Sequence, residues 1–206
     1  MLRNRFPHGG GVWHKNGVDA YPGRRRAPRP LDEQQLQELA LRYVGRFATT
    51  RAKLASYLTR KVRERGWSGD RDADVQALAE RLSGLGYIDD AAYALSKARS
   101  LTGRGYGVRR VDDSLRRAGV QEEQGREARR LASDDALASA LRLAERRRIG
   151  PFAIEPLADP RAREKAIGAL ARAGHSYSLA RAIVELPPGA DLDLSELAER
   201  ARLTDL

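Results

Sequence analysis

One spacing recurs along this chain: a leucine followed four residues later by a glycine, at Leu41–Gly45, Leu82–Gly86, Leu115–Gly119 and Leu170–Gly174. Each copy has helix-forming sequence on both sides. Glycine ends a helix in the left-handed conformation without steric cost, so each copy reads as a helix terminus followed by a tight joint. Two copies also have similar flanks, ALRYVGRFATTRAKL (40–54) and ALARAGHSYSLARAI (169–183). A joint repeated in this way predicts an all-α chain of tandem three-helix repeats in a curved, modular arrangement.

The most informative joint is RLSGLGYIDDAAYA (81–94). Leu82 and Leu85 are three apart and share a helix face. Gly86 falls where the helix should end, and Tyr87 and Ile88 should fold back over the joint. Asp89 is suited to cap the next helix, because its carboxylate can accept from unpaired amides. Ile88 and Tyr93 then have the spacing of a hydrophobic staple, and Asp90 sits in the first turn, where negative charge suits the helix dipole.

The remaining pattern divides the chain. Residues 1–30, with Gly9-Gly10-Gly11, Trp13 and the run Arg24-Arg25-Arg26, read as a disordered basic tail. A first repeat spans 31–88. Its helices are expected over 31–44, starting at Asp32, over 50–65, capped by Thr50, and over 72–85, with Leu54, Leu58, Val62, Val75, Leu78, Leu82 and Leu85 inward. A second repeat spans 89–150: a helix to about Leu101, a glycine turn at Gly103, Gly105 and Gly107, a helix over 108–118, and one long helix over 121–148. The proline-rich stretch from Gly150 to Pro160 leads to a shorter third repeat (151–190), with a helix capped by Ser176 or Ser178. Residues 191–206 form a C-terminal tail with room for one short helix, from Ser195 to Leu203.

Charge narrows the function. The formal net charge is +10, which points to a polyanionic partner or an acidic protein surface. Seven of the 38 basic residues lie in the first thirty positions, so that segment is a candidate arm for nucleic acid. Within the repeats, Arg109 and Arg116, and Arg110 and Arg117, are each seven apart and predict two basic rows on one helix. These four are the leading partner-binding candidates. Lys53, Arg60 and Lys61 come next, with the pair Arg104 and Tyr106 expected to be exposed on a flexible glycine turn. That turn is not a nucleotide loop, since no strand precedes it and no Lys-Ser follows.

Other classes are disfavoured. There are no cysteines, so no disulfide framework or cysteine metal site is expected. Two of the three histidines are in the N-terminal tail, and no cofactor is expected. The Asp89–Asp90 pair is better explained by capping than by catalysis, so a non-enzymatic protein is expected. No run approaches the roughly 18 apolar residues of a membrane span, and the N-terminus has no apolar secretion signal. A cytoplasmic monomer is the simplest expectation. A helical-repeat protein acting directly on DNA is the alternative. A sequence-reading helix would mix arginine with Asn or Gln, and there is no asparagine after residue 30.

From Leu31 to Leu186 the chain resembles the RecX family of bacterial regulators of the RecA recombinase. The resemblance rests on Gly86-Tyr87-Ile88-Asp89-Asp90-x-x-Tyr93-Ala94, on Arg110-Val111-x-x-x-Leu115-x-x-x-Gly119-Val120, and on the helix pair around Leu170 to Ile183. It implies three tandem three-helix repeats that bind in the groove of the RecA–DNA filament or cap its ends. The implied effect is modulation, usually inhibition, of ATP hydrolysis and strand exchange in DNA repair, recombination and the SOS response. RecA is then the implied partner, with single- or double-stranded DNA reached through the basic faces and the N-terminal arginine run. Three positions depart from the family pattern. Thr50-x-x-Lys53 replaces a Ser-x-x-Glu capping box, Gly107-Val108 lacks the usual proline, and Gly174-His175 replaces Gly-Phe.

Overall fold

The computed structural model describes residues 29–203. The reading of 1–30 as a disordered arm, with Trp13 and the arginine run, falls outside them except for Arg29 and Pro30, as do residues 204–206. The described residues form three helical bundles in chain order, each around its own core.

The first bundle holds α1 (Glu33–Val44), α2 (Arg51–Arg65) and α3 (Val75–Gly84) around Leu31, Leu36, Leu54, Leu58, Leu78, Leu82 and Ile88. The second holds α4 (Asp90–Gly103), α5 (Val108–Arg117) and α6 (Glu122–Asp134). Ala94 and Ala98 of α4 and Ala128 and Ala132 of α6 let those helices pack closely, with Val111 and Leu115 of α5 completing the core. The third holds α7 (Ala136–Arg147), a short 3-10 turn (Gly150–Phe152), α8 (Pro160–Arg172), α9 (Tyr177–Val184) and α10 (Leu194–Leu203). Its core includes Leu143, Ile149, Ile167, Leu170, Leu179, Ile183 and Leu197.

Helix starts follow side-chain chemistry. Asp32, Thr50, Asp89 and Ser176 each accept from the amide three residues on, at 2.8, 3.2, 2.8 and 3.2 Å. Asp74 does the same for Ala77, so the third helix begins at Val75 rather than at 72.

Five helix ends share one bond. The amides of Tyr87, Val120 and His175 donate to the carbonyls of Leu82, Leu115 and Leu170, closing the turn across a left-handed glycine. Two further joints use the same bond, Tyr106 to Leu101 and Ile149 to Ala144, the latter across Arg148 at φ 52°. The Leu41–Gly45 copy differs: Gly45 is right-handed (φ −69°), and the Phe47 amide continues the turn by donating to Tyr43.

The expected single helix over 121–148 is two helices, interrupted at Asp135 (φ −91°, ψ 6°). Ser133, Asp134 and Asp135 are weak helix formers that compete for backbone hydrogen bonds, and Asp135 turns its carboxylate to Arg142. The break redirects the chain so that Ala140, Leu143 and Ala144 enter the third core. Leu85 and Tyr87, expected to pack at the joint, are exposed. Ile88 alone folds inward there. It joins the first core while Tyr93 packs on the second, so the two do not share a core as a staple would.

Candidate partner-binding cleft

The junction between the first two bundles is built from few, specific contacts. Thr50 caps α2 and also donates its hydroxyl to the Ala118 carbonyl at the end of α5 (2.5 Å). The next residue, Gly119, lies against Ala52, where an added Cβ would come within 2.3 Å of the alanine methyl. On the other side, buried Asp90 accepts from the Arg51 amide (3.0 Å) and guanidinium (3.1 Å), and Arg51 reaches on to Glu80 (2.9 Å). The hydrogen bonds that it donates to Glu80 and Asp90 hold the Arg51 guanidinium above its ordinary pKa. The motif Gly86 to Tyr93 is therefore a structural joint. Asp89 caps α4, Asp90 holds the start of α2, and Tyr93 receives a hydrogen bond from Lys53 Nζ (2.7 Å).

This junction forms a cleft lined by Tyr43, Phe47, Ala52, Lys53, Ser56, Tyr57, Arg60, Arg116, Arg117, Ala118 and Gly119. Four of the sequence candidates, Lys53, Arg60, Arg116 and Arg117, are thus brought together from α2 and α5. Among the described residues, no carboxylate lines the cleft. Lys61 stands nearby, 5.9 Å from the Tyr57 ring centre and paired with Glu64 at 2.7 Å. The candidates are unequal in charge. Arg116 is paired with Asp112 and Asp113, which lie between the expected basic rows, and Arg60 is paired with Glu64 at 3.7 Å. Among the described residues, Lys53 and Arg117 form no ion pair: Lys53 meets Tyr93, and Arg117 donates to the Asp113 carbonyl.

The aromatic wall was not legible in the sequence. Tyr43 and Tyr57 stack at 4.3 Å and 22°, and Phe47 extends the row at 5.2 Å from Tyr43. Arg46 lies over Phe47 (5.5 Å) and Arg60 over Tyr57 (5.7 Å). The one signal was local, with arginine beside an aromatic at Arg42-Tyr43 and Arg46-Phe47.

Arg104, Tyr106 and Arg110 form a separate cluster. The Arg104 and Arg110 guanidiniums lie 5.4 and 5.8 Å from the Tyr106 ring centre. Arg109 is exposed on the same α5. The glycine turn here is not a free loop. Gly105 and Gly107 are buried against the third bundle, with the Gly107 amide donating to Ala173 (3.0 Å) and the Arg109 amide to Gly174 (3.1 Å). Buried His175 closes this junction through Nε2, 3.1 Å from the Gly105 carbonyl. Burial pushes the His175 pKa down, partly countered by that hydrogen bond. The carbonyl can only accept, so the neutral ring carries its proton on Nε2.

No model of a protein family matches the chain. Individual relatives do. A regulatory protein RecX from Myxococcus xanthus is 32% identical over 173 residues, covering 79% of this chain and 91% of the relative. One from Mycobacterium sp. (strain KMS) is 32% identical over 162 residues, covering 76% and 86%. One from Mycolicibacterium smegmatis is 30% identical over 182 residues, covering 83% and 86%. Among solved structures, RecX from Lactobacillus salivarius shares the fold with a TM-score of 0.52 at 19% identity, covering 74% of this chain and 94% of that one. With such identities sustained over most of both chains, the protein belongs to the RecX family of regulatory proteins.

Proposed function

We propose that this protein regulates the RecA recombinase by binding the RecA–DNA filament and lowering its ATP hydrolysis and strand exchange. The observation that carries the proposal is the basic cleft between the first two bundles, in a chain whose relatives are named as RecX regulators. Two of its cations, Lys53 and Arg117, form no ion pair among the described residues and suit acidic side chains or DNA phosphates on a filament. A rigid junction holds them in a preset arrangement, which reduces the entropy lost on binding.

The mechanism needs no chemistry. A protein that binds one filament state more tightly than another shifts the population toward it. The carboxylates that could be read as a catalytic pair are otherwise engaged, Asp89 with the Ala92 amide and Asp90 with Arg51. Among the described residues, no helix is long and apolar enough to cross a membrane. Cosedimentation with preassembled RecA filaments on single-stranded DNA tests the proposal. Saturable binding that exceeds binding to the same DNA without RecA is expected. Equal binding with and without RecA would favour a protein acting directly on DNA.

A further inference from the structure

The first bundle has a second concavity, at the opposite end of α1 from the cleft. It is a groove of about 740 Å³ between α1, α3 and the loop that joins α2 to α3. Leu36, Trp67 and Leu78 give it an apolar wall, and Glu33, Asp72 and Asp74 stand on its rim. The Trp67 ring is fixed by the hydrogen bond from its Nε1 to the Arg71 carbonyl. Arg71 and Arg81 also line the groove, yet none of the three carboxylates forms an ion pair among the described residues. The joining loop adds Asp70, so 70–74 holds three aspartates to one arginine. In a chain of net charge +10, this is a local acidic surface.

The chain enters the first bundle beside this groove. The Leu31 amide donates to the Gly66 carbonyl and the Leu31 carbonyl accepts from the Ser68 amide, both at 2.9 Å, so Leu31 is paired with Trp67. The Arg65 guanidinium donates to the Arg29 carbonyl at 2.9 and 3.2 Å, which fixes the point from which the preceding chain departs. That preceding chain carries Arg24-Arg25-Arg26, the last of them five residues before Leu31. Five extended residues span up to about 17 Å. The groove runs roughly 10 Å along α3, from Asp74 to Arg81, so the arginines are within reach of it.

We propose that Arg24–Pro28 docks intramolecularly in this groove, with its guanidiniums on Glu33 and Asp72 and over the open face of Trp67. Charge complementarity and the tether select this occupant. A foreign basic peptide would meet the same carboxylates, but a short tether gives the chain's own segment an effective concentration on the order of mM. Arginine suits the rim because it pairs with carboxylates in a bidentate way and stacks on indole. The groove thereby gives the basic arm a resting place away from the cleft. The contact is exposed and electrostatic, so salt loosens it. It involves neither RecA nor DNA and is independent of the regulator reading.

The test uses the full chain with Trp13→Phe, which leaves Trp67 as the only tryptophan. Acrylamide quenching then reads how far the Trp67 ring is covered. Arg24→Glu, Arg25→Glu and Arg26→Glu together should uncover one of the two ring faces, roughly a twofold rise in the quenching constant. Glu33→Lys with Asp72→Lys should do the same. Both are exposed, so the helical circular dichroism should be unchanged. Combining the two sets restores opposite charges and should return quenching to the parent value. High salt should raise quenching in the parent and leave the arginine variant unchanged. Quenching that ignores both reversals, or a combined variant that stays unprotected, would overturn the dock. So would protection that grows with protein concentration, which would assign the groove to the arm of a second copy.

Discussion

The carboxylate of Asp90 accepts from both the backbone amide and the guanidinium of Arg51, tying the first turn of α4 to the first turn of α2. The carboxylate is almost fully buried (4% exposed), while Arg51 keeps a quarter of its side-chain surface in water. Replacing Asp90 leaves a largely desolvated Arg51 side chain and an unpaired amide. Asp90→Ala should therefore cost about 2–3 kcal/mol, measured by urea unfolding. Asp89→Ala removes only an exposed cap and should cost about 1 kcal/mol. Equal effects would show that Asp90 is no more than a helix-terminal residue.

Two glycines with the same conformation separate strain from packing. Gly86 (φ 79°) has open space where a Cβ would go, whereas a Cβ on Gly119 (φ 68°) would collide with Ala52. Gly86→Ala should cost about 1 kcal/mol from the left-handed backbone alone. Gly119→Ala should cost a further 1–3 kcal/mol or so from overpacking, and it should weaken partner binding by displacing α5 from α2. Thermal unfolding of both variants checks the difference.

Arg148 occupies the glycine position of a helix-ending joint (φ 52°) and is exposed. Arg148→Gly removes that strain and should stabilise the protein by about 0.5 kcal/mol, despite the added freedom of the unfolded chain. A fall in the unfolding midpoint would contradict this.

His175 makes stability depend on pH. Its pKa in the folded protein lies below the ordinary value of 6.5, so the folded state binds fewer protons than the unfolded chain between the two values. Stability is full above about pH 6.5 and falls as pH drops below it, by no more than about 1.4 kcal/mol per pH unit from this group. His175→Phe should flatten that part of the profile, and unfolding midpoints from pH 7.5 to 5.5 test it. Unchanged pH dependence in the variant would assign the slope to other groups.

What could be read in the sequence was local. Thr50 and Asp89 were recognisable as caps, and Ser176 as one of two candidates with Ser178, because a cap acts on its own next turn. The break at Asp135 was hidden, since alanine and leucine keep a helical period across it from Ala128 to Leu143. Leu85 and Tyr87 were misplaced because periodicity gives a helix face, not what covers it. The joint at Leu101–Gly105 was masked by the two neighbouring glycines. Lys53, Arg60, Arg116 and Arg117 were legible as cations, but their meeting depends on contacts such as Thr50 with Ala118, 68 residues apart. The Tyr43–Tyr57 stack is likewise tertiary, formed by helices that pack side by side. The glycine turn looked free because Gly174, which presses on Gly107, is far along the chain.

The junction cleft is proposed to act on RecA. This role is tested most directly by RecA's DNA-dependent ATP hydrolysis on single-stranded DNA, titrated with this protein and with a Lys53→Glu, Arg117→Glu double variant. These two cations are exposed and carry no ion pair among the described residues, so reversing them should spare the fold. The parent protein should lower the hydrolysis rate, and the variant should have lost most of the effect. A parent protein that leaves the rate unchanged, or a variant as effective as the parent, would contradict this role.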